Sequence, residues 1–115
     1  MNLFIQEAAE QDILHQVAWY TEQGVPDVAR RFGAAAGASI AAVIAMPESG
    51  APRPTANPRL AGLRTWPVKG FEQFRIYYLL QPGQLIIVRI LHDKRDTDTL
   101  LKVQDVQEPG RHGRR

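Results

Sequence analysis

The apolar pattern of this chain indicates an α+β fold in which an N-terminal strand and two helices precede an antiparallel meander of three strands. Up to about residue 46, apolar residues recur at helical intervals, as Ile13, Val17 and Tyr20 do. After residue 60, three runs rich in β-branched and aromatic residues are separated by short turns that contain glycine. Because the two patterns are segregated along the chain, the helices and the meander are expected to form separate layers.

The first half of the chain predicts one short strand and a helical hairpin. Residues 3–5 are an apolar run that fits a strand. A helix follows from Glu7 and is ended by Gly24. Pro26 favours the first turn of a second helix, which continues to Met46. A short connection between two helices predicts that they lie antiparallel.

Small residues on the second helix predict where the first helix packs. Gly33, Gly37 and Ala41 recur every four residues and form one strip on the helix surface. Each glycine inside a helix costs about 1 kcal/mol relative to alanine, so a compensating close contact with the first helix is expected. Both tryptophans, Trp19 and Trp66, are expected in the core.

The second half predicts a sheet and little else. Residues 48–59 contain several prolines and are expected to be an irregular connector. The predicted strands are residues 63–68, 71–80 and 85–91, with turns at residues 69–70 and 81–84. A last short element is expected at residues 99–106. The chain is therefore predicted to be a single domain, residues 1–107, with residues 108–115 as a disordered tail.

The turn at residues 81–84 predicts a register for the last two strands. If Gln81 and Gln84 are paired, Tyr78 lies opposite Ile87 and two further steps place Ile76 opposite Arg89. This register puts Phe74, Ile76, Tyr78, Arg89 and Leu91 on one face. The other face holds Arg75, Tyr77 and His92, with Arg75 and His92 as diagonal neighbours. Both faces are mostly apolar, so the tail or a partner chain is expected to cover the face that the helices leave open.

Composition excludes several classes of function. The chain has 115 residues, no cysteine and a net charge of +2, so disulfides and thiolate chemistry are absent. Residues 1–50 carry two basic and six acidic residues, whereas residues 51–101 carry eight basic and four acidic ones. This asymmetry indicates that the second half faces an acidic partner. The N-terminus lacks a signal-peptide pattern, and the apolar run of residues 33–46 is shorter than a membrane span, so a cytoplasmic location is expected.

Several segments in order resemble one known family. Residues 60–78 combine an apolar–arginine pair, a Pro-Val strand, a glycine–aromatic turn and a strand that ends in tyrosine, and residues 90–96 read Ile-Leu-His-Asp-Lys-Arg-Asp. Together with the helical hairpin, this order resembles the ParE family of the ParE/RelE toxin–antitoxin superfamily. The resemblance implies the toxin of a type II (plasmid stabilisation) system, neutralised by a ParD-like antitoxin. ParE-like members typically poison DNA gyrase, whereas RelE-like members cut messenger RNA on the ribosome.

The two activities make different demands on the residues. RNA cleavage needs an acid–base group and cations around the phosphate, and His92 with Arg64, Arg75, Arg89 and Arg95 is the candidate set. However, RelE-like proteins usually have a tyrosine near the C-terminus and lysines before the sheet. This sequence has no tyrosine after Tyr78 and no lysine before Lys69. The interpretation favoured here is therefore a protein-binding toxin without catalytic residues, and a family member that binds antitoxin but lacks toxicity remains a third alternative.

Under the favoured interpretation the candidate residues bind a partner protein. The predicted partner-binding residues are Arg64, Trp66, Arg75, Tyr77, His92 and Arg95. Structural roles are also open: His92 beside two aspartates is expected to form hydrogen bonds at a strand end, and Arg89 is expected to pair with a carboxylate. No metal or cofactor is expected, because His15, His92 and His112 are widely spaced in the sequence and no phosphate-binding glycine loop is present.

Overall fold

A mixed five-stranded sheet with two helices on one face organises the chain in a computed structural model that describes residues 1–96, 98–103 and 106. The strand order is β1-β5-β4-β3-β2, with β1 parallel to β5 and the other neighbours antiparallel. The predicted α+β class and the order of elements are confirmed. The elements are β1 (Asn2–Ile5), α1 (Glu7–Glu22), α2 (Pro26–Ala45), β2 (Ala51–Pro52), β3 (Arg64–Val68), β4 (Phe71–Gln81), β5 (Gln84–His92) and α3 (Asp98–Leu101).

The helical hairpin forms as predicted, but its packing strip is shorter than expected. Ile13, Val17 and Tyr20 of α1 pack against the core. A Cβ placed on Gly33 would lie 3.8 Å from Cγ2 of Val17, whereas one placed on Gly37 would meet no atom of a described residue within 4 Å. Gly37 and Ala41 are exposed. The prediction that α1 packs along the whole strip is therefore wrong beyond Gly33, because α2 turns its other side to the sheet.

Helix α2 has nearly the predicted bounds, but it is longer than the apolar run at residues 33–46 that was compared with a membrane span. It has 20 residues and a mean hydropathy of 1.3, enough by length and composition to cross a membrane, and it is the one such helix among the described residues. Core helices have the same properties. In this fold Phe32, Ile40 and Val43 of α2 pack into the core beneath the sheet, so its apolar character has a structural reason.

A β-bulge changes the predicted register of the sheet. The pairs Gln81–Gln84 and Tyr78–Ile87 are as expected, but Tyr77 pairs with Arg89, which leaves Val88 as an extra residue. Beyond the bulge, Ile76 pairs with Ile90 and not with Arg89. The predicted register is therefore wrong from this point to the end of β5.

The bulge exchanges the faces of the last β5 residues. Ile90 joins the helix-side core with Phe74, and Leu91 joins the opposite face. Phe74 pairs with His92, and Arg75 pairs with Leu91. The predicted diagonal contact between Arg75 and His92 is therefore wrong, because the two side chains lie on opposite faces of the sheet.

The chain covers the second face of the sheet with its own segments. Tyr77, Leu79, Ile86, Val88 and Leu91 form a second apolar cluster with Leu60, Leu63 and Leu100. The cover thus comes from the connector before β3 and from α3. That connector also contains the two-residue strand β2, which was not predicted. The predicted tail, residues 108–115, lies outside the described residues.

One buried amide holds this cover in place. Asn57 donates from Nδ2 to the backbone carbonyls of Leu100, at 2.8 Å, and of Val103, at 2.9 Å. Its Oδ1 accepts from the backbone N–H of Arg59 at 3.0 Å. All the hydrogen-bonding groups of the Asn57 side chain are therefore used inside the fold, and the connector and α3 are joined at one point.

Candidate partner-binding site

A groove runs between α1 and the C-terminal end of β5. Its volume is about 380 Å³, and its lining includes Asp12, His15, Trp19, Arg89, Arg95 and Asp96. We call it the α1 groove. Trp19 is 51% exposed at its edge, so the prediction that Trp19 lies in the core is wrong. Its ring contacts the Tyr20 ring edge-on, with centroids 5.3 Å apart.

An ion pair between α1 and β5 forms the floor of the α1 groove. Arg89 donates from Nε and Nη2 to the two carboxylate oxygens of Asp12, at 2.8 and 2.7 Å. The backbone N–H of Ile90 donates to the same carboxylate at 2.9 Å. The hydrogen bond to Asp12 raises the pKa of Arg89 above its usual value. The expectation that Arg89 pairs with a carboxylate is confirmed.

His92 organises the turn that follows β5. Its Nδ1 accepts hydrogen bonds from the backbone N–H groups of Lys94, at 3.3 Å, and Arg95, at 3.1 Å. Its ring contacts the Phe74 ring edge-on, with the ring centroids 5.4 Å apart. The expectation that His92 forms hydrogen bonds at a strand end is therefore confirmed. With Nδ1 accepting, the neutral ring carries its proton on Nε2.

Arg95 has a carboxylate partner in the same turn. It donates from Nε to Oδ1 of Asp96 at 3.0 Å and from Nη2 to Oδ2 at 3.1 Å. The hydrogen bond from Arg95 lowers the pKa of Asp96 and raises that of Arg95. The charge of Arg95 is compensated by its neighbour Asp96, so Arg95 adds no uncompensated charge to the α1 groove.

Arg64 lies at the other end of the sheet and has a structural task. It donates from Nη1 to the backbone carbonyls of Glu48, at 2.9 Å, and Gly50, at 2.8 Å. Tyr78, its cross-strand partner, donates to the carbonyl of Pro47 at 2.7 Å and accepts from the N–H of Gly50 at 3.1 Å. Burial raises the pKa of Tyr78. These contacts attach the segment that follows α2, residues 47–50, to the sheet.

A second polar group lies on the face of the sheet opposite α1. Tyr77 donates to Oδ1 of Asp93 at 2.9 Å, and the guanidinium carbon of Arg53 lies 5.9 Å from the centre of its ring. Arg75 donates from Nε to Oγ1 of Thr65 at 2.9 Å. Burial, followed by the hydrogen bond to Asp93, raises the pKa of Tyr77 to about 12. We call Arg53, Thr65, Arg75, Tyr77 and Asp93 the arginine–tyrosine cluster.

The predicted site residues are therefore divided among three places. Arg89 and Arg95 both line the α1 groove, and His92 is the last residue of β5, where its ring binds the turn that follows. Arg75 and Tyr77 belong to the arginine–tyrosine cluster on the opposite face. Arg64 holds the segment after α2, and Trp66 packs partly buried against the helix-side core. The candidate ribonuclease set does not converge on one point.

Sequence reasoning missed Asp12 and Arg53 as members of these groups. Asp12 carries no local signal, because an acidic residue on a helix is usually solvated. Arg53 lies in a proline-rich segment for which no contact could be predicted. Among the described residues, no group of three or more histidine or acidic side chains could hold a metal ion.

Comparison with known proteins gives a family match and similar solved structures. The family model described as the ParE toxin of the type II toxin–antitoxin system, parDE, matches residues 3–97. A solved structure described as a chromosomal ParDE TA system from P. aeruginosa is similar in fold, with a TM-score of 0.66 and 20% sequence identity. The match covers 80% of this chain and 95% of that chain. No curated protein sequence matches.

Proposed function

Because this chain belongs to the ParE toxin family of type II toxin–antitoxin systems, we propose that it inhibits DNA gyrase and is neutralised by a ParD-like antitoxin. The match over residues 3–97 carries the proposal, since it spans the helical hairpin of α1 and α2 and almost all of the sheet. The related structure is a ParDE system, which supports an antitoxin of the ParD type. A gyrase target implies a cytoplasmic site of action.

The geometry of the candidate residues favours binding over RNA cleavage. A ribonuclease needs its acid–base group and its cations around one phosphate. Here His92 and Arg75 lie on opposite faces of the sheet, and Arg89 and Arg95 are each bound to an aspartate. The ribosome-dependent endoribonuclease is therefore the disfavoured alternative.

Inducible expression in a bacterial host without antitoxin tests the target. DNA and protein synthesis are followed by pulse labelling after induction, and chromosomal DNA is examined for double-strand breaks. Early loss of DNA synthesis with cleaved DNA supports gyrase inhibition, and early loss of protein synthesis contradicts it. The variant H92A separates the two further, because it removes the candidate acid–base group of the ribonuclease and should leave DNA breakage in place.

Co-expression with the product of the adjacent small open reading frame tests the antitoxin. Capture of a stable complex and restored growth support the proposal. The complex should also melt at a higher temperature than the toxin alone, because a partner that binds only the native state stabilises it. Absence of a complex with either neighbouring product contradicts it. A complex that forms with a chain that is not toxic alone would identify a family member that retains antitoxin binding and has lost toxicity.

A further inference from the structure

Two guanidinium groups of the arginine–tyrosine cluster have no carboxylate partner among the residues that the structure describes. Arg30, Arg89 and Arg95 each form an ion pair with an aspartate. Over residues 1–96, 98–103 and 106, no acidic side chain lies within ion-pairing distance of Arg53 or Arg75. Arg75 uses only Nε, in its bond to Thr65, so its terminal nitrogens are not engaged by any described residue. Both arginines are half-buried.

Arg53 and Arg75 contact two residues that are themselves neighbours across the sheet. Thr65 and Tyr77 are cross-strand partners in β3 and β4. Arg75 bonds to Thr65, and Arg53 lies over the ring of Tyr77. Asp93 brings one negative charge to the cluster, and this carboxylate is hydrogen-bonded to the Tyr77 hydroxyl. The cluster as a whole therefore has two positive charges and one negative charge, a surplus of one.

We propose that Arg53 and Arg75 bind one carboxylate side chain from an acidic segment of a protein partner. Guanidinium groups present paired N–H donors that match the two oxygens of a carboxylate, and partial burial strengthens such a bond. The bound carboxylate would neutralise the surplus charge of the cluster. The site stands on its own geometry, whereas the partner's identity as the antitoxin rests on the proposed function.

A nucleic-acid strand fits this site less well than a carboxylate does. A strand presents successive phosphates and needs a row of cations along its path. The neighbouring arginines of the sheet, Arg64 and Arg89, are engaged on the opposite face. An acidic peptide avoids this requirement, because it needs only a single carboxylate between the two arginines.

The test observes the two side chains directly. The arginine Nε–Hε signals of the isotope-labelled full chain are followed by NMR during titration with an acetylated Leu-Glu-Leu-Glu peptide. The signals of Arg53 and Arg75 should shift, and the matching glutamine peptide should leave them unchanged. R53A and R75A should each weaken binding about tenfold, as expected for a hydrogen bond to a charged group. R31A, which removes an exposed arginine of α2, is the matched control and should bind as wild type does.

Three results would overturn the proposal. The first is equal binding of the glutamate peptide by wild type and by the double variant R53A/R75A, after thermal melting has shown that the variant is folded. The second is a shift of both signals by an oligouridylate and not by the glutamate peptide, which would assign the site to RNA. The third is a shift caused by D105N or E108Q without any peptide, which would identify the chain's own carboxylates as the occupant.

The peptide experiment tests the binding site and the toxicity experiment tests the proposed function, so either one can be contradicted without the other. Growth arrest with DNA breakage but no arginine shifts retains the proposed function and rejects this site. Arginine shifts without growth arrest retain the site and reject the toxic activity. Where an antitoxin complex is captured, R53E and R75E should raise its Kd more than R31E does, and the difference should shrink as salt is added.

Discussion

Asp12 and Arg89 are 77 residues apart in the sequence and form a bidentate ion pair at the β-bulge of the sheet. The same carboxylate accepts the backbone N–H of Ile90, which follows directly after the bulged segment. A bulge disrupts the local ladder and leaves backbone groups in need of partners. One α1 side chain thus satisfies a backbone donor of β5 and neutralises an arginine. Asp12 is therefore part of what holds the bulge in its position.

Removal of the Asp12 carboxylate should destabilise the fold. D12A leaves the Arg89 guanidinium, 21% exposed, without its partner and leaves the Ile90 N–H unsatisfied. We expect the free energy of unfolding to fall by about 2 to 3 kcal/mol, less than for a fully buried pair because water reaches Arg89. Urea denaturation followed by circular dichroism measures this change.

A second ion pair of the chain supplies the control for D12A. Asp27 and Arg30 are paired on the surface with side chains 78% and 71% exposed, so D27A should change stability by less than about 0.5 kcal/mol. The double variant D12A/R89M should recover part of the loss, because it removes the uncompensated charge. Equal effects of D12A and D27A would show that Asp12 does not support the bulge.

Local signals predicted most of the fold, and the bulge marks where they end. Gly24, Pro26 and Pro47 define the helix boundaries by restrictions that act within a few residues, so those boundaries could be predicted. β5 is apolar on both faces from Leu85 to Val88. Alternation of polar and apolar residues, which normally reports register, is therefore absent where the extra residue is inserted.

The grouping of the candidate residues depended on that register. One extra residue moved His92 to the helix side of the sheet and left Arg75 on the other. The partners that decide the roles of the arginines are also distant in sequence: Asp12 for Arg89, and the carbonyl of Gly50 for Arg64. Residue types indicated which side chains were of interest, but long-range packing determined what each one contacts.

A methyl group at Gly50 should be incompatible with the contact between the exit of α2 and the sheet. A Cβ at this position would overlap the Tyr78 hydroxyl and lie 2.8 Å from Cε1 and Cζ of its ring. The Tyr78 ring is fully buried and cannot move away easily. G50A should therefore lower the free energy of unfolding by about 2 kcal/mol, as overpacking of a core does.

A double-mutant cycle tests the origin of the G50A effect. Y78F alone leaves the Pro47 carbonyl and the Gly50 N–H without their partner and should cost about 1 to 2 kcal/mol. In the Y78F background G50A should cost about 1 kcal/mol less, because the overlapping oxygen is gone. If the stability losses of G50A and Y78F simply add in the double variant, the strain caused by G50A does not come from the Tyr78 hydroxyl.

Substitution of Gly37 by alanine should raise the stability of the fold, whereas substitution of Gly50 lowers it. Gly37 lies in the middle of α2 and is exposed, and a Cβ there would meet no atom within 4 Å in the part of the chain that the structure describes. G37A reduces the entropy of the unfolded chain and should raise the free energy of unfolding by about 0.5 to 1 kcal/mol. Thermal denaturation of G37A beside G50A compares the same chemical change at an open and at a filled position. A loss of stability in G37A would mean that its surface is occupied in solution.

The raised pKa of Tyr77 predicts a loss of stability at alkaline pH. Its pKa is about 12 in the folded chain and about 10 in an unfolded one. Between these values the unfolded state releases the phenolic proton while the folded state retains it, so the unfolded state binds fewer protons. The contribution of Tyr77 is fully present below about pH 10 and is lost as the pH rises toward about 12.

The variant Y77F isolates this contribution. Over the interval from about pH 10 to 12, wild type should lose about 2 kcal/mol more stability than Y77F does, since each unit of pKa difference corresponds to about 1.4 kcal/mol. Unfolding midpoints in urea at a series of alkaline pH values measure the difference, and lysines and the other tyrosines titrate equally in both proteins. Below pH 9, Y77F should be less stable than wild type by a constant amount, because the hydrogen bond to Asp93 is missing. Parallel pH profiles over the whole range would contradict the assignment and would mean that the hydroxyl of Tyr77 reaches water.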